Sequence, residues 1–193
     1  MKTDTRVKIT RTIFHNALLD ILREKPIHSV TVTELCNKAE LNRGTFYAYY
    51  GIPDDVLAEI EDTFINDCND IFAKKPGGDV YDFLPAVYTY VKDNIETLKI
   101  LIGENSSPRF RERIKQDTYR KTLKRWHENY PNIRDNDFEF VFDTVYTGGA
   151  QNLVKWIEGY YDFGLKELVR RSNVIISYCV DALEKMNEKN KNQ

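Results

Sequence analysis

The chain has 193 residues, of which 41% are hydrophobic and 30% charged, enough for one or two small domains with a sizeable core and too well mixed for a linker protein. The 3 cysteines, Cys36, Cys68 and Cys179, are odd in number, lie at no CxxC spacing and have no histidine at ligand spacing; no disulfide scaffold or metal site is predicted, and a reducing cytoplasm is the expected compartment. The net charge of -2 hides a basic start, with eight Lys/Arg against five Asp/Glu in residues 1–50, a balance that fits either contact with an anion such as nucleic acid or ordinary surface scatter.

No secretory leader is read at the N-terminus, and the longest aliphatic runs, Ile100-Leu101-Ile102 and Val174-Ile175-Ile176, fall far short of the roughly 20 apolar residues of a membrane span. The Asn105-Ser106-Ser107 sequon is therefore read as accidental.

Helical periodicity runs almost throughout, so an all-α fold is predicted. The first helix places Ile13-Phe14, Ala17-Leu18 and Ile21-Leu22 on one face and stops before Pro26. Thr31-Val32-Thr33-Glu34 reads as a capping box that opens a short second helix, with Leu35, Cys36 and Ala39 inward. After a turn at Glu40-Leu41, Asn42 caps a third short helix from Arg43 to about Tyr49, in which Phe46 and Tyr50 share the core face. Pro53 opens a fourth helix that ends near Ala73, where Pro76, Gly77 and Gly78 mark the clearest break in the chain.

Two short helices joined by a tight turn, with a longer amphipathic helix on each side, are the parts of a helix-turn-helix DNA reader. The segment from Val32 to Tyr50, with its Arg43-Gly44-Thr45-Phe46-Tyr47-Ala48-Tyr49 core, resembles the DNA-binding segment of the TetR/AcrR family of transcriptional regulators over about residues 8–60. The resemblance implies a helix-turn-helix domain over residues 1–52 and a helical effector-binding and dimerisation domain over 53–188. Residues 53–73 would then be the connecting helix and 189–193 a polar tail. It further implies a third helix seated in the major groove. There Arg43 offers a fork to guanine, Gly44 a close backbone approach and Thr45 contact with a thymine methyl or a phosphate, with Ala48 and Tyr49 beside them. Tyr47 is a candidate phosphate clamp, and Thr31 and Thr33 add hydroxyl and amide contacts to the sugar-phosphate chain. Thr31 is a cap first, and a purely structural role is the less favoured reading of Tyr47 and Tyr49.

Two departures from the family pattern stand out. Glu40 occupies the turn position usually held by glycine, which predicts a strained turn if a positive φ is needed there. Pro53 replaces a common lysine, and with Asp54 and Asp55 beside it one phosphate contact is lost; Lys2, Arg6 and Lys8 are the expected compensation.

The remaining chain reads as helices over 81–101, 110–130, 138–158 and 165–186. The last two carry broad apolar faces, Phe138, Phe142, Val145, Gly149, Leu153 and Trp156 on one and Leu168, Val169, Ile175, Ile176, Cys179, Val180 and Leu183 on the other. A homodimeric four-helix bundle, with close approach at Gly148 and Gly149, and a purely intrachain core both fit these faces; the dimer is preferred because two readers one DNA turn apart would suit a palindromic operator. Tyr88, Trp126, Tyr146 and Trp156 are the candidate contacts for an unidentified small-molecule effector.

No GxGxxG, Walker, GxSxG, HExxH or CxxC motif occurs, and Tyr88 with Lys92 has reductase spacing but no glycine-rich turn to serve, so no enzyme and no cofactor are predicted. The reading is a DNA-binding transcriptional regulator, a repressor by family analogy. The alternative is an all-α coregulator or interaction module with weak or no DNA binding.

Overall fold

The computed structural model of the protein describes residues 2–74 and 80–191, with side chains from 5 to 74 and from 84 to 191. The described residues form α-helices and one 3₁₀ turn, with no strand among them. They are α1 (Lys2–Leu22), the 3₁₀ turn (Ile27–Ser29), α2 (Val32–Lys38), α3 (Arg43–Tyr47) and α4 (Pro53–Ala73), followed by α5 (Val80–Asp93), α6 (Ile95–Leu101), α7 (Arg109–Asn129), α8 (Asp135–Ile157) and α9 (Leu165–Lys191). Of the expected break after Ala73, residues 75–79 lie outside the described residues.

Contacts gather the chain into two compact units, Met1–Asn69 with Glu96–Arg111, and Asp70–Ile95 with Glu112–Gln193. The first is centred on Phe14, Leu18 and Leu22 of α1, Leu35 of α2, Phe46 of α3 and Val56 and Leu57 of α4, all buried. Phe14 meets Phe46 edge-on at 5.5 Å between ring centroids, and Phe64 meets Phe110 in the same way at 5.7 Å. Segment 96–111 is thus part of this unit, although it follows α5 in sequence.

In the second unit α9 packs on both α5 and α8. Ile133, Phe138 and Leu183 form a buried cluster against which Leu123, Trp126, Tyr130, Val141 and Met186 pack.

Two helix boundaries differ from the sequence reading. The single helix expected over 81–101 is two, because Asn94 turns back on α5. Its backbone N–H donates to Tyr90 O (3.0 Å) and its side-chain amide to the same carbonyl (2.9 Å), which satisfies the helix end locally. The last helix runs beyond Met186 into the polar tail. Asn187 accepts from the Asn132 N–H (3.0 Å) and Asn190 donates to the Asn132 carbonyl (3.0 Å), so two polar side chains anchor the final turns to the α7–α8 connection.

Candidate nucleic-acid interface

The short helices α2 and α3 are set by caps at both ends. The Thr31 hydroxyl accepts the Glu34 N–H (3.2 Å), and Asn42 Oδ1 accepts both the backbone N–H (2.8 Å) and the hydroxyl (3.1 Å) of Thr45. Only half of the expected capping box forms, because the Glu34 carboxylate takes the ammonium of Lys25 instead of reaching back to Thr31. Between the helices, the Leu41 N–H donates to Cys36 O (3.0 Å) and the Glu40 N–H to Asn37 O (3.2 Å), the bond pair of a Schellman turn. That turn needs a left-handed residue, and Glu40 supplies it with φ 54°. The same motif ends α8, where Tyr160 donates to Lys155 O and the left-handed position is Gly159.

Behind α3 the core side chains are locked by rings and by one carboxylate. Phe14, Phe46 and Tyr50 pack pairwise within 5.9 Å, and Phe46 and Tyr50 are buried as their spacing predicts. The Tyr50 hydroxyl donates to Glu59 Oε2 (2.6 Å), whose other oxygen accepts from Arg11 (2.6 Å); His15 Nε2 lies 3.6 Å from Glu59 and 3.5 Å from the Tyr50 hydroxyl. Burial pushes the Tyr50 phenol up and the His15 imidazole down. Burial would raise the Glu59 carboxyl, but the bonds from Tyr50 and Arg11 outweigh it and hold it below its ordinary value. This carboxylate of α4 joins α1 and the segment just after α3.

On the opposite side, Thr31, Thr33, Arg43, Gly44, Tyr47 and Ala48 are all exposed, and Thr45 and Tyr49 half-exposed. Tyr47 is 60% exposed and leans on Phe46 through one ring edge. The Arg43 guanidinium donates to the Thr33 hydroxyl, which ties the first residue of α3 to α2. A Cβ on Gly44 would stand 3.2 Å from the capping Asn42 Oδ1, so this glycine serves the cap as well as an open surface. Arg11 lies over the Tyr49 ring at 5.7 Å.

The basic start is less free than its count suggests. Arg11, Arg23, Lys25 and Lys38 pair with Glu59, Glu96, Glu34 and Asp20. The side chain of Lys2 lies outside the described residues, while Arg6 and Lys8 are exposed on α1. Asp55 is not idle charge either: its Oδ2 accepts the N–H groups of Gly51 (2.8 Å) and Ile52 (3.0 Å) and caps α4.

A small helical unit with two capped short helices and an exposed Arg-Gly-Thr face is followed by residues 78–178, which match a TetR C-terminal family described as the transcriptional regulator C-terminal region. The chain belongs to the TetR family of transcriptional regulators. A TetR transcriptional regulator from Streptococcus agalactiae is similar in fold, with a TM-score of 0.65 at 19% identity, over 91% of this chain and 98% of that one. A crystal structure assigned to the TetR family from Syntrophomonas wolfei superposes with a TM-score of 0.68 at 15% identity, covering 91% and 95%. The fatty acid degradation regulator FadR from Bacillus halodurans gives 0.62 at 14% identity, covering 84% and 92%. No curated protein sequence matches. The protein is a DNA-binding, helix-turn-helix transcriptional regulator. TetR regulators typically dimerise and bind small-molecule effectors and are generally not enzymes. Among the described residues no helix is long and apolar enough to cross a membrane.

The four candidate effector contacts are each engaged within the second unit. Tyr88 is buried with its hydroxyl 3.3 Å from Ser172 Oγ, Trp126 packs on Phe138, Tyr146 stacks on Phe142 at 5.3 Å, and Trp156 Nε1 donates to Phe163 O (2.9 Å). An open recess of about 630 Å³ lies along α8, lined by Asn136, Glu139, Phe140, Asp143, Thr144, Thr147 and Gly148. Beside the face assigned to α8 from sequence, the helix carries a further apolar residue that points outward. Phe138 and Phe142 are buried within the chain, whereas Phe140 is 73% exposed. On α9, Leu168 and Leu183 are buried while Ile175 (62%) and Tyr178 (69%) face outward with Val174. No atom stands within 4 Å of a Cβ built on Gly148 or Gly149. Sequence reasoning passed over Phe140 and Tyr178, although Phe140 sits about 200° around the helix from both Phe138 and Phe142, the signature of a second apolar face. It also passed over Arg11 and Glu59, whose pairing spans 48 positions and leaves no local pattern.

Proposed function

We propose that this TetR-family protein is a cytoplasmic repressor that binds a palindromic operator as a homodimer and releases it on binding a small-molecule effector. Residues 1–52 serve as the reader and 53–188 as the effector-binding and dimerisation domain, with α4 as their connection. The observation that carries the reading is the division of residues 31–50 into two faces: Phe46 and Tyr50 are locked inward, while Arg43, Thr31, Thr33, Gly44, Tyr47 and Ala48 stand in the open. Arg43 is the principal base contact, with Thr45, Ala48 and Tyr49 around it and Thr31, Thr33 and Tyr47 on phosphates. Phe140 on α8 and Val174, Ile175 and Tyr178 on α9 supply the apolar surface for pairing with a second copy. Tyr88, Trp126, Tyr146 and Trp156 remain the proposed effector contacts.

The test is selection of genomic fragments by the purified protein at about 0.1 M salt with excess competitor DNA, followed by sequencing. Enrichment of a palindrome that is lost with Arg43→Ala supports the reading. Absence of enrichment, with Arg43→Ala indistinguishable from the unaltered protein, supports a coregulator without DNA recognition of its own.

A further inference from the structure

Segment 96–111, which runs through α6 into the first turn of α7, belongs to the same compact unit as α1–α3. It is built as a rigid corner. Leu101, Ser106 and Phe110 are buried, and the Arg111 guanidinium donates to Ile102 O. A Cβ on Gly103 would stand 3.0 Å from Lys99 O, so the chain turns there with no room for a side chain. Ser107 accepts the Arg109 N–H (3.2 Å) and starts α7.

From this corner one residue reaches back to the reader with two separate groups. The Asn105 side-chain amide donates to the carbonyl of Leu22, the last residue of α1 (3.1 Å), and the Asn105 carbonyl accepts the N–H of Ile27, the first residue of the 3₁₀ turn (2.9 Å). A helix-end carbonyl has no partner within its own helix, so this donor fills a vacancy that α1 cannot fill. Only a short connection separates these points from α2. Ile27 and Val30 are buried, and Val30 directly precedes the capping Thr31.

We propose that Asn105 is a positioning residue for DNA binding: by fixing both ends of the link between α1 and the 3₁₀ turn, it sets where Thr31 and Thr33 stand relative to Arg43. This rests on the reading of the 31–49 face as the DNA contact surface. The accidental sequon thus has a conformational role, since its asparagine amide is committed to Leu22.

The test compares Asn105→Ala and Asn105→Asp with Ser107→Ala in the full-length protein, at a temperature where circular dichroism shows every variant folded. Ser107→Ala weakens the same corner without touching α1 or the 3₁₀ turn. The first readout is amide hydrogen exchange in peptides covering 20–36. Loss of the anchoring bond is expected to speed exchange there about fivefold or more in both Asn105 variants and not in Ser107→Ala. The second is affinity for the selected operator, expected to fall about fivefold in the Asn105 variants alone. Faster exchange confined to 103–110, or equal effects from Ser107→Ala, would overturn the proposal, as would unchanged operator affinity with altered exchange. If the unaltered protein selects no DNA, the assignment of the 31–49 face falls, and the exchange pattern alone decides whether Asn105 positions it.

Discussion

The Tyr50 hydroxyl donates to Glu59 Oε2 at 2.6 Å, and through that carboxylate of α4 the segment just after α3 is joined to Arg11 of α1. The bond is partly buried, so losing it exposes no compensating water contact for the carboxylate at full strength. Tyr50→Phe keeps the ring packing on Phe14 and Phe46 and removes the donor. It is expected to lower stability by about 1 kcal/mol, measured by urea unfolding at pH 7.

The same cluster makes stability depend on pH. His15 titrates below its ordinary 6.5 because burial disfavours the imidazolium, so the unfolded chain binds its proton first and stability falls as pH drops from about 6.5. Glu59 titrates below its ordinary 4.5, so its contribution is complete above that value and disappears as pH falls through the lower folded-state value. Thermal melts from pH 7 to 3 should show two successive losses. His15→Gln is expected to flatten the first, and Glu59→Gln the second. A His15→Gln slope equal to that of the unaltered protein between pH 7 and 5 contradicts the assignment.

Arg43 makes one surface bond, to Thr33, and carries no core packing. Arg43→Ala should therefore leave the melting temperature within about 1 °C while weakening operator binding by about 1–3 kcal/mol per half-site, the worth of one forked base contact in each subunit of the proposed dimer. Fluorescence anisotropy against operator and scrambled duplexes measures both affinity and selectivity.

Glu40 sits at φ 54° in a Schellman turn whose counterpart after α8 uses Gly159. Glu40→Gly removes the left-handed penalty at the cost of a more flexible unfolded chain, for an expected net gain of about 0.5–1 kcal/mol in chemical denaturation. Glu40→Val, β-branched at the same φ, is expected to destabilise.

The outward apolar residues of α9 give a separate test of assembly. Ile175→Lys places a charge on the proposed contact surface without entering the intrachain core around Phe138 and Leu183. Sedimentation at low micromolar concentration should shift from a dimer to a 22.7 kDa monomer with unchanged helicity.

What the sequence disclosed was local. Thr31 and Asn42 announced their caps, the four-residue spacing of Phe46 and Tyr50 announced a core face, and Pro53 announced the start of α4, because each depends on neighbours within one turn. Glu40 was legible as an anomaly only against the family pattern, which has glycine at that turn, and its φ of 54° bears this out. Most of the failures come from distance along the chain. The extension of α9 depends on Asn132, 55 and 58 positions before the residues that hold it, and the Arg11–Glu59 pair spans 48. The break at Asn94, by contrast, is local and was missed because an asparagine amide can turn back on the carbonyl four residues before it without any change in apolar spacing. The charge balance of residues 1–50 left two readings open, and part of it is taken up over distance, since Arg11 and Arg23 meet carboxylates, Glu59 and Glu96, that lie beyond that window.

The discontinuous makeup of the first unit has a consequence for synthesis. During translation α1 to α3 emerge first, yet the segment that buries Leu101 and Phe110 with them follows only after α5 has been made. Closing that gap across 70–95 costs loop entropy of about (3/2)RT ln n, modest in size but due before the long-range contacts offset it. A nascent chain arrested before Leu101 therefore lacks both Leu101 and Phe110, and the apolar surface of α4 that Phe110 covers at Phe64 stays open to holding chaperones.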